Sequence, residues 1–311
     1  MNEYKPEGLL IKTTKNYEYI SSLSGIEKAL EKQVILEAPV VLCDHNFDLH
    51  VELCSEVKGL IPRDEVEYTQ NGEHIKDIAI LTRVGKTVCF KVCGIKTLSN
   101  GEKIAILSRR AAQRECIENY LKSLSTGDII PAKVTHLEGF GAFVDIGCGR
   151  ISLLSIDCIS VSRINHPSAR LSVGDIIYTV VRYIDERGRI FVSGKELLGT
   201  WEENASLFQE GQTVRGIVRS IESYGIFIEL TPNLAGLAEY RDGVRIGQIA
   251  AVYIKSIIPD KMKIKLIIID TDDSQINNAP LTYFFDPSKE NHIDYWRYSP
   301  RNSIKKIETL F

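Results

Sequence analysis

A long internal repeat constrains the fold of this chain more than any other feature of its sequence. Residues 127–143 read GDIIPAKVTHLEGFGAF, and residues 211–227, which begin 84 positions later, read GQTVRGIVRSIESYGIF. Both windows end in an aromatic residue, a glycine, a small or aliphatic residue and a second aromatic residue. A period of this length corresponds to one small domain, so we predict a duplicated β module.

The aromatic–glycine pattern predicts a strand surface that presents two rings close together. The pairs are Phe140 with Phe143 and Tyr224 with Phe227. The intervening glycine lacks a Cβ, so another group can approach the backbone there. Such a surface suits the stacking of nucleic-acid bases. The alternative is that Phe143 and Phe227 fill the core of the module.

Composition excludes several classes of protein. Of the 311 residues, 44% are hydrophobic and 25% are charged, which is ordinary for a soluble globular protein. No apolar run approaches the roughly 18 residues of a membrane span, and the start has no apolar stretch of signal-peptide type. The seven cysteines form no C-x-x-C pair. We therefore expect a cytoplasmic protein with no membrane partner, metal or disulfide framework.

Charge sets a limit on how nucleic acid could be bound. The formal net charge is −3, and no segment of the chain is strongly basic. Binding would then depend on stacking and a few local cations more than on phosphate neutralisation. We expect a shallow dependence of affinity on salt.

The pattern of short β runs and polar breaks divides the chain into five predicted segments. They are a leader and short helix (1–33), a degenerate barrel plus helix (34–124), a clear barrel (125–200), a second barrel (201–274) and an aromatic tail (275–311).

Three helices are predicted within this division. The first spans 21–33, with Ser24 as N-cap and Glu27 completing a capping box, and the residues before it read as a loose leader. The others span 109–124 and 195–208. The tail carries too many aromatic residues for a disordered end, so we expect it to pack against a barrel or a partner.

The middle repeat resembles a known RNA-binding family. Residues 127–193 are similar to the S1 motif, the OB-type repeat found several times in ribosomal protein S1. The matching segments are Gly127-Asp128, Phe140 to Gly147, the loop 161–167, Val173 to Asp175, and Asp185 to Ser193. The last repeat is similar but weaker, and the first unit is degenerate. The resemblance implies a mainly β fold of tandem OB-fold, five-stranded barrels of S1 type with short linking helices.

The resemblance also implies the residues that contact RNA. In the middle repeat, with Lys133 added as a phosphate contact, they are Lys133, Phe140, Phe143, Asp185 and Arg189. Ser155 stands where the family has a histidine. In the last repeat they are Tyr224, Phe227 and Lys263, with Glu239 and Pro259 at the positions of the family's histidine and aspartate.

The predicted function is the binding of single-stranded RNA, mRNA in particular, in translation or RNA metabolism. No hydrolase, P-loop, metalloprotease or dinucleotide motif is present, so we expect neither catalysis nor a cofactor. The first unit has Phe47 and His50 in place of the ring pair and is expected to contact a protein or the small ribosomal subunit. The alternative is a scaffold whose barrels have lost RNA affinity.

Two weaker patterns have less specific interpretations. Asp44, His45 and His50 could suggest a metal site, but surface residues are the favoured interpretation. Lys261, Lys263 and Lys265 alternate along a strand, which usually indicates a solvated face and here would lie beside the proposed groove.

Overall fold

Seventeen strands and six short helices make up the secondary structure that a computed structural model shows for residues 4–69, 75–273 and 281–311. The chain forms two compact units. One contains Met1–Leu124 and Asp145–Ile151, and the other contains Ser125–Val144 and Ser152–Phe311. The boundaries of the five predicted segments stay a prediction.

Fifteen of the strands form three barrels of five strands each. The first barrel contains β1 (Leu36–Cys43), β2 (Leu49–Cys54), β3 (Val57–Ile61), β4 (Thr87–Thr97) and β5 (Lys103–Ser108). The middle barrel contains β6 (Ile129–Glu138), β7 (Gly141–Asp145), β8 (Ile151–Ser155), β9 (Ile176–Ile184) and β10 (Ile190–Ser193). The last barrel contains β11 (Thr213–Glu222), β12 (Gly225–Thr231), β13 (Leu234–Ala238), β14 (Ile249–Ile258) and β15 (Lys263–Asp272).

All three barrels share one strand order. The third strand of each lies between the second and the fifth, and it pairs with the fifth in parallel, as in β8 with β10. This is a five-stranded barrel of OB type. The predicted fold class, mainly β with tandem OB-fold barrels and short helices, is confirmed.

Alternating burial explains which side chains face outward. In β6, Ala132 and Val134 are buried and flank the half-buried Lys133. In β7, Ala142 and Val144 are buried on either side of Phe143. Since successive side chains of a strand point to opposite faces, the inner positions form the core and the outer ones are available to a ligand.

Short helices connect and cover the barrels. They are α1 (Thr14–Ile20), α2 (Leu23–Lys32), α3 (Asp77–Leu81), α4 (Arg109–Asn119), α5 (Ile156–Ile159) and α6 (Trp201–Ala205). Single 3-10 turns occupy Arg63–Glu65, Leu121–Ser123, Pro167–Ala169, Lys195–Leu198 and Pro259–Lys261. In the part of the chain that is described, none of these helices is long and apolar enough to cross a membrane.

Two helix predictions need correction. Helix α2 is capped by Ser22, whose hydroxyl accepts the N–H of Gly25, whereas Ser24 lies inside the helix. The stretch 195–208 is not one helix, because Gly199 adopts φ 82° and ends the 3-10 turn. Thr200 then starts α6 with a capping box.

The prediction of a loose leader is wrong. The buried carboxylate of Glu37 in β1 accepts the N–H groups of Gly8, Leu10 and Ile11 at 2.9–3.0 Å. Glu7 accepts a hydrogen bond of 2.7 Å from Nε of the fully buried Arg109. These partners hold the leader because a buried carboxylate needs donors around it.

The described part of the aromatic tail packs against barrels, as predicted. It ends in a two-stranded sheet of β16 (Tyr295–Arg297) and β17 (Glu308–Leu310). Trp296 and Tyr298 are buried in the core of the last barrel. Tyr283 packs against the middle barrel. Its ring contacts that of Tyr178, and its hydroxyl accepts the N–H of Tyr178 at 3.0 Å.

Candidate nucleic-acid interface

The first aromatic pair lies on the outside of the middle barrel. Phe140 is 57% exposed in the turn before β7, and Phe143 is half-buried on the outer face of that strand. Their rings are 6.0 Å apart and perpendicular. A Cβ on Gly141 would lie 2.5 Å from the carbonyl oxygen of Leu154. The group that approaches the glycine is therefore the neighbouring strand β8.

A histidine stands beside this pair, although not at the position where the family has one. Ser155 is half-buried at the end of β8. His136 of β6 lies with its ring 6.3 Å from that of Phe143 at an angle of 24°. Its Nε2 is 2.7 Å from Glu138. Sequence reasoning missed His136, because only the pairing of β6 with β7 brings it to Phe143.

Asp185 and Arg189 form one hydrogen-bonded turn between β9 and β10. The carboxylate accepts the N–H groups of Arg187 and Arg189, at 3.0 and 2.8 Å. It also accepts Nε of Arg189 at 2.7 Å. These bonds, the backbone N–H of Arg189 first among them, hold the pKa of Asp185 below its ordinary value. The ionised carboxylate thereby orients a guanidinium that is 63% exposed.

Lys133 shares the outer face of β6. It is half-buried and lies two residues before Thr135, whose hydroxyl donates to the carbonyl oxygen of Phe143 at 3.0 Å. The alternation of the strand thus puts Lys133 on the same side as the ring-bearing part of β7.

A second ring pair on this barrel was not predicted. Tyr183 of β9 and Phe191 of β10 are opposite each other in the antiparallel ladder. Their rings are parallel within 3°, with centroids 4.4 Å apart. The guanidinium carbon of Arg189 lies 5.9 Å from the Phe191 ring. The available signal was the alternation around Phe191, which follows buried Ile190 on a short strand.

The last barrel repeats the first pair and adds cations. The rings of Tyr224 and Phe227 are 6.1 Å apart and nearly perpendicular. Phe227 pairs with Leu237 of β13, which pairs with Lys265 of β15. Lys263 and Lys265 are both exposed on that strand. This register places Lys265 two strands away from Phe227.

The last barrel has no counterpart of the Asp185–Arg189 turn. Pro259 begins a 3-10 turn at the corresponding place, and Lys263 follows it. Glu239 is exposed just after β13. The outer surface of the last barrel thus carries an acidic side chain at this point.

The corresponding positions of the first barrel are engaged with neighbours. Phe47 adopts φ 63° and lies 4.9 Å beneath the guanidinium of Arg63. His50 Nε2 is 3.1 Å from Asp44. Across the described ranges no three His, Cys, Asp or Glu residues are grouped so that they could hold a metal ion.

Comparison with known families agrees with this geometry. Residues 123–195 match the family model described as S1 RNA binding domain. The chain carries an S1 domain. The matched residues form the middle barrel.

Relatives extend the likeness beyond the S1 domain. Small ribosomal subunit protein bS1 of Staphylococcus aureus is 28% identical over 289 residues, which cover 89% of this chain and 68% of that protein. The Staphylococcus epidermidis protein of the same name is 29% identical over 280 residues, covering 86% of this chain and 64% of that protein. The chain therefore resembles bS1 over most of its length.

Solved structures give weaker likenesses. A multidomain protein with nucleic acid binding domains from Streptococcus pneumoniae aligns over 81% of this chain and 78% of its own, with 16% identity and a TM-score of 0.25. GSP13 from Bacillus subtilis aligns over 24% of this chain and 57% of its own, with 30% identity and a TM-score of 0.23. With scores this low, the fold assignment rests on the strand order of the barrels.

Proposed function

We propose that this protein binds single-stranded RNA, mRNA in particular, through the outer face of its S1 domain, without catalysis and without a cofactor. The observation that carries the proposal is the exposed, perpendicular pair of Phe140 and Phe143 on a barrel that also presents an oriented arginine. Aromatic rings stack on the bases of single-stranded nucleic acid, and an oriented guanidinium contacts its phosphates.

The two rings offer separate stacking surfaces. Because Phe140 and Phe143 stand at 90° to each other, each can receive its own base. Stacking of a base on an aromatic side chain contributes about 1–3 kcal/mol and tolerates any base. The ring of His136, whose centroid is 6.3 Å from that of Phe143, takes over part of the role that the family gives to the residue at Ser155.

Phosphate binding falls to a small number of cations. Arg189 has a planar fork, and the ionised Asp185 holds that fork in one orientation. Lys133 lies on the same face of β6 as Thr135, next to Phe143. Few contacts of this kind agree with the net charge of −3.

The last barrel supports a second, weaker contact with the same strand. Tyr224 and Phe227 supply rings, and Lys263 supplies a cation that has no ion pair among the described residues. Two linked sites raise the overall affinity by holding the strand at a high effective concentration.

The likeness to small ribosomal subunit protein bS1 supports a role in translation or RNA metabolism in the cytoplasm. In the first barrel, Phe47 lies under Arg63 and His50 is bonded to Asp44. Rings engaged in this way favour contact with a protein, or with the small ribosomal subunit, over base stacking.

The test is an anisotropy titration of a labelled 12-nucleotide single-stranded RNA with the full chain. The variant Phe140→Leu with Phe143→Leu removes both rings and keeps the apolar character of the surface. Loss of two stacked bases should weaken binding at least tenfold. Tyr17→Leu is the matched control, since Tyr17 is a 68% exposed aromatic residue on α1.

Unchanged affinity of the double variant would refute the assignment of the site. If the wild-type chain binds no RNA at low salt, the RNA proposal fails, and the barrels are protein-interaction modules of a scaffold.

A further inference from the structure

The ring pair of Tyr183 and Phe191 is the most prominent feature of the S1 domain to which the proposed function gives no role. The two rings are parallel and 4.4 Å apart. Tyr183 is 47% exposed, so part of its ring is open to solvent. Parallel rings with an open outer face form the arrangement on which a further flat group can stack.

An apolar link connects this pair to the first one. Leu153 is half-buried on the outer side of β8 and is the parallel-register partner of Phe191. The Cδ1 atom of Leu153 lies 3.3 Å from the position that a Cβ on Gly141 would occupy. Gly141 directly follows Phe140 in the sequence. Neighbouring strands are about 4.8 Å apart, so β10 lies about 10 Å from β7.

We propose that Tyr183 and Phe191 form a second base-stacking platform, so that single-stranded RNA crosses β7, β8, β10 and β9 in turn. One base stacks on the open face of Tyr183, which Phe191 supports from behind. This inference rests on the proposed function and deepens it, because it sets the path of the strand and lengthens the bound segment.

Arg189 supplies a cation for the RNA backbone between the two ring pairs. Its guanidinium carbon is 5.9 Å from the Phe191 ring, and Asp185 fixes its orientation. A strand that runs from Phe143 to Tyr183 across these neighbouring strands brings a phosphate to this fork. Arginine pairs with phosphate oxygens through parallel hydrogen bonds.

A cross-strand ring pair could instead serve only to stabilise the ladder of β9 and β10. The two roles give different results. A pair that only stabilises the ladder affects the melting temperature and leaves the affinity of the folded protein for RNA unchanged. A platform affects the affinity even where the protein is fully folded.

The experiment measures the affinity of the full chain for a 12-nucleotide oligouridine in wild type, Tyr183→Leu and Tyr183→Phe, at a temperature where circular dichroism shows all three folded. Tyr183→Leu should weaken binding about five- to a hundredfold, the equivalent of one stacked base. Tyr183→Phe keeps the ring and should stay within twofold of wild type.

A second measurement needs no substitution. Irradiation of the wild-type complex with the same RNA carrying 5-iodouridine should give cross-links to Tyr183 or Phe191 as well as to Phe140 or Phe143.

The results separate the two proposals. If wild type binds and the Phe140/Phe143 double variant does not, while Tyr183→Leu binds within twofold of wild type and no cross-link reaches 183 or 191, the second platform is refuted and the proposed function stands. If wild type does not bind, both are refuted.

Discussion

Gly141 sits between two exposed or half-exposed rings because the strand beside it leaves no room for a side chain. The carbonyl oxygen of Leu154 would be 2.5 Å from a Cβ at this position, closer than such contacts occur. The glycine thus allows β8 to lie close to β7. The same close approach brings Leu153, the register partner of Phe191, next to Gly141.

Substitution of Gly141 by alanine should therefore destabilise the S1 domain. The obstructing atom belongs to the backbone, so the strands must shift, and overpacking of this kind costs about 1–3 kcal/mol. Gly139→Ala is the matched control, since a Cβ there would have nothing within 4 Å. Urea denaturation should show a lower midpoint for Gly141→Ala and a nearly unchanged one for Gly139→Ala. Equal midpoints would contradict the argument.

At the scale of elements, the leader and β1 are joined by a buried carboxylate. Glu37 is fully buried, and burial raises its pKa to about 7, although the N–H groups of Gly8 and Ile11 partly offset that effect. Asp145 of the same compact unit is also buried, with its pKa raised to about 7. Both groups therefore bind a proton more tightly in the folded state than in the unfolded chain.

Stability of this unit should then fall as pH rises. Between the unfolded pKa near 4.5 and the folded value of about 7, folding takes up a proton at Glu37, so higher pH opposes it. The loss from Glu37 alone amounts to about 3 kcal/mol and is complete above pH 7. Denaturation midpoints measured from pH 5 to 8 test this.

The variant Glu37→Gln provides the control for that pH series. Its amide nitrogen cannot accept an N–H, so its stability is lower at every pH. The slope is the informative quantity, and it should be shallower than in wild type. An equally steep decline in the variant would assign the pH dependence to other groups.

The tail hairpin of β16 and β17 is expected to be a structural part of the last barrel. Trp296 is only 7% exposed and belongs to the barrel core. Trp296→Ala should lower the free energy of unfolding by about 3–5 kcal/mol. Leu310→Ala, on the same hairpin but 81% exposed, should change it by less than about 0.5 kcal/mol. Similar thermal melts for the two variants would contradict this assignment.

At the scale of the whole molecule, the proposed interface uses four cations to neutralise RNA phosphates. They are Lys133 and Arg189 on the S1 domain and Lys263 and Lys265 on the last barrel. Each phosphate contact on a single strand contributes about −0.7 to the slope of log K against log salt. We expect a slope between about −1 and −3 in titrations from 50 to 300 mM salt. A slope steeper than about −5 would indicate a polycationic mode of binding that these barrels do not provide.

The sequence predicted the barrels well because their signals are local. The repeat, the alternation of buried side chains and the turn residues all lie within a strand or a hairpin. The pairs Phe140–Phe143 and Tyr224–Phe227 were predictable for the same reason, since the two members of each pair are three positions apart in the sequence.

What the sequence left out depends on contacts between distant strands. His136 and Tyr183 reach the rings or form a pair only through strand order and register, which no local pattern specifies. The leader was misjudged because its order comes from Glu37, which is remote from the residues it binds. The N-cap at Ser22 was missed because Ser24 offers the same chemistry two positions later.

The most direct test of RNA binding by the S1 domain is hydrogen–deuterium exchange of the full chain with and without a 12-nucleotide single-stranded RNA. RNA should slow exchange in residues 136–143 and 183–191, with a smaller effect around 224–227, and leave the first barrel unchanged. Protection confined to residues 36–108, or no protection anywhere in a chain saturated with RNA, would contradict the account.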